Sequence, residues 1–391
     1  MDRTTLPVLV ALAVGAFALG ADSFIMIGML SDIAADLDVT QPVAGQLVTV
    51  FALCYALFAP LGATVAGRLG GRRTLLLAML VFTLGNALCT VAQSYGAMLS
   101  GRAIAAFGAG AFLPVATATA SALVGPQRRG VALSVIFGGM TIATAFGAPL
   151  GTWSGQMFGW RFAFMVIVAV GALTFATLLV LVPKGKCAAA ATLVERLSAA
   201  RNRKVLATLS VTFLVVMSEY AIFAYLSVVL EKSIWREASI LPLAMFIFGC
   251  GAILGNVITG LATDRFGPAR VLLTAIAAQA LCIAVTVLFR LEPLVVLPVV
   301  FCWGVFSYMY LVPIQYRLLS LAAEAGAFTV SLNSSVIYLA ISAGSAVGGM
   351  ILASASLPVL LAFSLLAALA GFCVVIATFP RAQPGLTTST V

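Results

Sequence analysis

The chain alternates long apolar runs with short polar breaks. Apolar runs begin near residues 6, 43, 74, 97, 130, 162, 205, 240, 270, 293, 327 and 357. Most reach about 20 residues, the length that carries a helix across a bilayer. The period-two alternation of a barrel strand is absent. Backbone in lipid must satisfy its own hydrogen bonds, so runs this long and continuous are read as helices. The pattern predicts an all-α membrane protein with twelve spans and no sizeable soluble domain.

One polar break is distinctive. Gly260-Leu-Ala-Thr-Asp264-Arg265-Phe-Gly267 separates the eighth and ninth runs and is read as a short hairpin, its glycines permitting a tight turn. Gly67-Arg68-Leu-Gly70 stands 197 residues earlier, between the second and third runs, with Gly67 where Asp264 stands in the later copy. Other landmarks repeat at the same offset: Gly147-x-x-x-Gly151 with Gly344-x-x-x-Gly348, and Asp22 with Glu219. The chain is therefore expected to consist of two pseudo-symmetric six-helix bundles, residues 1–182 and 205–391, joined by a basic cytoplasmic linker over 183–204.

Charge sets orientation. Hydrophobic residues make up 63% of the chain and charged residues only 8%, against about 25% charged in soluble domains. With the N-terminus inside, sixteen of the twenty-one Lys and Arg lie on the cytoplasmic side, four lie outside, and Arg102 lies within span 4. This positive-inside bias places both termini in the cytoplasm and makes the protein a multi-pass component of the inner membrane. The net charge of +9 is thus an orientation signal and not a nucleic-acid patch. The seven cysteines form no C-x-x-C, and there is no histidine, which leaves no metal cluster to expect. Without a nucleotide-binding loop or a Ser-His constellation, an enzyme or an ATP-driven pump is not expected. The first 22 residues are read as part of an uncleaved first helix, because the apolar pattern continues through Leu30.

The Gly260–Gly267 stretch resembles the G-x-L-x-D-R-x-G loop of the major facilitator superfamily, with Ala262 in place of the leucine. Arg102 matches the span 4 arginine of that superfamily's twelve-helix drug:proton antiporter branch, and Gly147-x-Pro149-x-Gly151 looks like a variant of its span 5 glycine-proline motif. The whole chain is similar to the arabinose-efflux-like and chloramphenicol-resistance-like exporters of that branch. The resemblance implies two bundles around a central cavity and proton-coupled export of a small amphipathic compound by alternating access. A dedicated sugar or nucleoside efflux carrier, or a proton-coupled importer, is the alternative, and a non-transporting receptor a more distant one. Small-molecule substrate, protons and the bilayer are the expected partners. The protein is expected to act as a monomer, driven by the proton gradient without a cofactor.

Asp22 and Glu219 are the acids well inside predicted spans. An ionisable group there is costly and marks a functional site, and leaving water favours a carboxyl's neutral form, which suits a proton carrier. The expectation is that both face one aqueous cavity, with Asp22 the more important. Arg102 is expected either to control protonation of such a carboxylate or to be its structural partner. Tyr220, Phe223, Tyr308, Gln315, Asn333 and Tyr338 are candidate substrate contacts, Tyr308 and Gln315 sharing a helix face by their spacing of seven. Gly147, Pro149, Gly151, Gly260, Asp264, Arg265 and Gly267 are candidate conformational elements, with Asp264 expected to accept bonds from Arg265 or from the start of span 9.

Overall fold

A computed structural model of the protein describes residues 5–124, 129–183, 202–233, 240–288, 293–321 and 326–379. Residues 184–201, most of the expected linker, lie outside the described residues. Among the described residues, eleven helices are long and apolar enough to cross a membrane, and Val135–Gly147 with Pro149–Phe158, bent by 42°, makes a twelfth if that pair is one span.

In the first half, span 1 is Thr5–Gly28, continued by Leu30–Asp36. Gln41–Leu69, Gly71–Val91 and Tyr95–Leu123 are spans 2 to 4. Span 5 runs from Arg129–Ile142 through a π-helical turn, Ala143–Gly147, into Ala148–Phe158; Trp160–Leu181 is span 6. In the second half, span 7 is Arg203–Phe223 with Leu226–Ser233, and spans 8 and 9 are Ile240–Phe266 and Pro268–Leu288. Span 10 is Pro293–Tyr308 with Leu311–Leu321, and spans 11 and 12 are Gly326–Ser354 and Leu357–Thr378. The order is that of two six-span bundles.

Several details differ from expectation. The acidic stretch after span 1, whose Asp32, Asp36 and Asp38 read in sequence as a short outer loop, is helical as far as Asp36, and the chain reverses at Asp38, where φ is +52°. Arg161 at the head of span 6 holds this extension by an ion pair to Asp36 at 2.7 Å and also donates to the Ala92 carbonyl at 2.8 Å. The Gly260–Gly267 stretch is not a hairpin. Helix continues through Phe266, and the turn is made at Gly267 alone, with φ +82°; Gly70 makes the equivalent turn at +80°. Both angles fall where a Cβ is disfavoured. Asp264 therefore lies in the last turn of span 8, exposed and without a hydrogen bond or ion pair, and Arg265 lies over the Phe266 ring at 5.4 Å instead. The expected bonds to Asp264 fail because its carboxylate sits at a helix C-terminus, short of the free N–H groups that open span 9.

Pro149 explains the bend in span 5. It has no N–H for the carbonyl of Ala145, and its ring crowds that carbonyl, so the preceding turn widens to π geometry. Pro313 acts similarly in span 10. It offers no hydrogen to the Met309 carbonyl, which accepts from Thr259 Oγ1 of span 8 at 2.9 Å where the helix breaks. That break separates Tyr308 from Gln315, so the expectation of one continuous face does not hold.

The glycine pairs of spans 5 and 11 pack within their own halves. A Cβ on Gly151 would meet Ile25 at 2.3 Å, and one on Gly348 would meet the Ala221 carbonyl at 2.3 Å. Span 5 is thereby pressed on span 1, and span 11 on span 7.

The halves meet along spans 2 with 11 and 5 with 8. At the end away from the chain termini, Thr49 and Ser345 hydroxyls lie 2.8 Å apart. Tyr225, at the break in span 7, is wedged between spans 2 and 11: a Cβ on Gly45 would lie 2.1 Å from its hydroxyl oxygen, and one on Gly349 2.3 Å from it. The hydroxyl donates to the Ser345 carbonyl at 2.8 Å. Span 5 meets span 8 where Phe146 packs edge-on to Phe246 and Gly249 faces Thr144 and Ala145. Gly45→Ala is expected to expel Tyr225 and loosen this outer seam. On a background cleared of the seven native cysteines, thiol labelling of Thr49→Cys should quicken about tenfold, the rate equivalent of about 1.4 kcal/mol. Gly138→Ala, with open space at its Cβ, should leave labelling unchanged. An unchanged rate in Gly45→Ala would refute the wedge.

Candidate functional site

Asp22 is on span 1 and Arg102 on span 4, two turns into a helix that opens with Ser94 capping the Ala97 N–H. They meet at 2.7 Å, Arg102 Nη1 donating to Asp22 Oδ1, with exposures of 1% and 0%. Of the two ion pairs among the described residues this is the buried one. The guanidinium also lies over the Phe51 ring of span 2 at 4.1 Å. The pair is incompletely satisfied, because Asp22 Oδ2 and Arg102 Nε are buried without hydrogen-bond partners. Such a pair in low dielectric is sensitive to any change in its charge or geometry.

Glu219 is the second buried acid, 5% exposed, on span 7. Its setting is different. Gln279 of span 9 and Ser307 of span 10 adjoin it, and Tyr220, Tyr308 and Tyr310 lie within electrostatic reach. Gln279 Nε2 and Ser307 Oγ are buried and make no hydrogen bond within ordinary distance. Neither ion pair among the described residues includes Glu219. A buried carboxyl without a cation is neutralised most cheaply by a proton.

The two acids face different neighbours in this structure. Arg102 draws Asp22 toward span 4, whereas Glu219 points among spans 9 and 10. Tyrosines are near both: Tyr338 by Asp22, and Tyr220, Tyr308 and Tyr310 by Glu219. Six of the eight tyrosines, at 55, 220, 225, 308, 310 and 338, gather at or beside the contact between halves. Tyr338 of span 11 stacks on Tyr55 of span 2 with centroids 3.6 Å apart, and Tyr308 reaches the Thr144 hydroxyl of span 5 at 3.2 Å.

The other expected contacts fall in varied places. Tyr220 is half-buried beside Phe223, which is buried among Phe24, Phe248 and Trp303. Gln315 is half-buried in the inner segment of span 10. Asn333 is buried and accepts from Thr212 of span 7 at 2.8 Å, which ties spans 7 and 11 within the second half and turns its amide away from the contact between halves. Sequence reasoning passed over Tyr55, Tyr225, Gln279 and Ser307. Each lies in an apolar run, but none is an acid, the signal that singled out Glu219.

This architecture, with buried acids in equivalent spans of two halves, defines an integral membrane protein of transporter type. The sequence pattern of the Major Facilitator Superfamily matches residues 12–345, and the chain belongs to that superfamily. It is 33% identical to the MFS-type transporter YtbD of Bacillus subtilis over 89% of this chain and 88% of that one. It is 32% identical to a chloramphenicol resistance protein of Streptomyces lividans, covering 88% and 87%, and 27% identical to the putative transporter AraJ of Escherichia coli, covering 88% of each. In fold it is similar to a bacterial homologue of the human lysosomal transporter Spinster, with a TM-score of 0.71 at 17% identity over 97% of this chain and 95% of that one. Membership of a transporter family, and not an enzyme family, agrees with the reading from sequence.

Proposed function

We propose that the protein is a proton-coupled secondary exporter of a small amphipathic compound. The observation that carries this reading is the pair of buried carboxyls, Asp22 and Glu219, at equivalent places in the two halves, one held by Arg102 and one without a cation among the described residues. Two such groups give the carrier places to load and release a proton as its seams alternate. Export, and not uptake, is favoured by the likeness to a chloramphenicol resistance protein. In this reading the proton enters from outside as the compound leaves. The chain acts as a monomer in the inner membrane with both ends in the cytoplasm, and the tyrosine-rich contact between halves supplies an aromatic, weakly polar surface suited to an uncharged or amphipathic compound.

Proteoliposomes exposed to a panel of amphipathic compounds that includes chloramphenicol provide the test. Transport should follow an imposed pH gradient, stop with a protonophore, and be indifferent to ATP at constant gradient. Transport that persists unchanged after the gradient is collapsed would exclude proton coupling.

A further inference from the structure

We infer that Tyr338 is a positioning residue that couples the two buried acids across the contact between halves. The inference rests on the proton-coupled reading above. Tyr338 belongs to span 11 in the second half, yet it packs against the core of the first half. Its ring stacks on Tyr55 with an interplanar angle of 18°, and its hydroxyl lies against Ser23 and Tyr55. Asp22 is within electrostatic reach on this side, and Asp22 Oδ2 is the buried oxygen that lacks a partner. On the other side Tyr338 is within reach of Tyr220 and Tyr308, and both of those adjoin Glu219.

The chemistry of a phenol makes this placement consequential. A tyrosine hydroxyl has one hydrogen to give and lone pairs to accept with. Its orientation is set by Ser23 and Tyr55, and it responds to the field of a charged Asp22 on one side and of a charged Glu219, beyond Tyr220 and Tyr308, on the other. The charge of one acid therefore biases the hydrogen bonding around the other. Arg102 and Cys89 face Asp22 from spans 4 and 3, and Tyr310 completes the titratable groups around Glu219. The coupling is also conditional. Tyr338 touches the first half through Tyr55 and Ser23, so parting the halves there breaks the connection. A link made in one conformation and broken in the other is what converts protonation into a bias on that equilibrium.

Spin labels at Val180 and Leu261, both exposed and one in each half, report the separation of the halves in the full chain in nanodiscs without any substrate. The wild type should change its distance distribution between about pH 5.5 and pH 8.5, and Tyr338→Phe should move the midpoint by about one pH unit, a tenfold change in proton affinity. Phenylalanine keeps the stack on Tyr55, so a merely structural role would not move the midpoint. Ser23→Ala should move it in the same direction by less, and Tyr316→Phe, on an exposed tyrosine, should not move it. A wild type indifferent to pH would remove the proton-coupled reading and this inference with it. A pH-responsive wild type matched by Tyr338→Phe would overturn the inference and leave that reading intact.

Discussion

Arg102→Ala is expected to leave little folded protein, and the double replacement Asp22→Leu, Arg102→Met to recover folding without recovering proton-driven transport. The reason lies in what each change leaves behind. The ion pair is buried on both sides, so removing the guanidinium leaves the Asp22 carboxyl without a counter-charge. Breaking such a pair costs about 3–5 kcal/mol, whereas replacing both partners with apolar groups of similar volume is often neutral or stabilising. A further loss comes from the contact between the guanidinium and the Phe51 ring, which carries packing as well as charge. Urea or thermal unfolding of purified protein in detergent measures the first effect, and gradient-driven transport in proteoliposomes the second. An Arg102→Ala protein as stable as wild type would show that Asp22 does not depend on the pair, and a double replacement that still transports down a pH gradient would remove Asp22 and Arg102 from coupling.

Glu219→Gln should behave in the opposite way. It should fold normally and lose gradient-driven transport about tenfold or more, a change of at least 1.4 kcal/mol in the transport barrier. No cation among the described residues pairs with Glu219, so the neutral amide leaves no orphaned charge. Its two donors and its acceptor suit the Gln279 amide and Ser307 hydroxyl that adjoin the site. What the amide cannot do is bind and release a proton. Stability thus separates the two acids: losing the partner of Asp22 damages fold and coupling together, and changing Glu219 damages coupling alone. Equal gradient-driven rates in Glu219→Gln and wild type would show that this carboxyl carries no proton. The two sets of variants together test the expectation that Asp22 is the more important acid.

The sequence alone determined the spans, their order and the twofold repeat. Those properties rest on short-range chemistry: about 20 apolar residues reach across a bilayer wherever they occur, and an internal repeat is visible as spacing. Gly67-Arg68-Leu-Gly70 against Asp264-Arg265-Phe-Gly267, and Asp22 against Glu219, lie 197 residues apart however the chain folds. Buried acids were legible for the same reason, since a carboxyl inside an apolar run stands out whatever surrounds it. Only the tertiary structure decided their partners. Asp22 and Arg102 are 80 residues apart, and Tyr55 and Tyr338 come from opposite halves, so no local periodicity links them. Tyr225 could not be told from an ordinary apolar-run tyrosine until Gly45 and Gly349 closed around it. The breaks at Tyr225 and Met309 also escaped the reading by pattern, because hydropathy is continuous through both and the change is one of backbone hydrogen bonding. Contacts between distant residues depend on how the helices pack, and packing is a property of the assembled bundle, not of any one run.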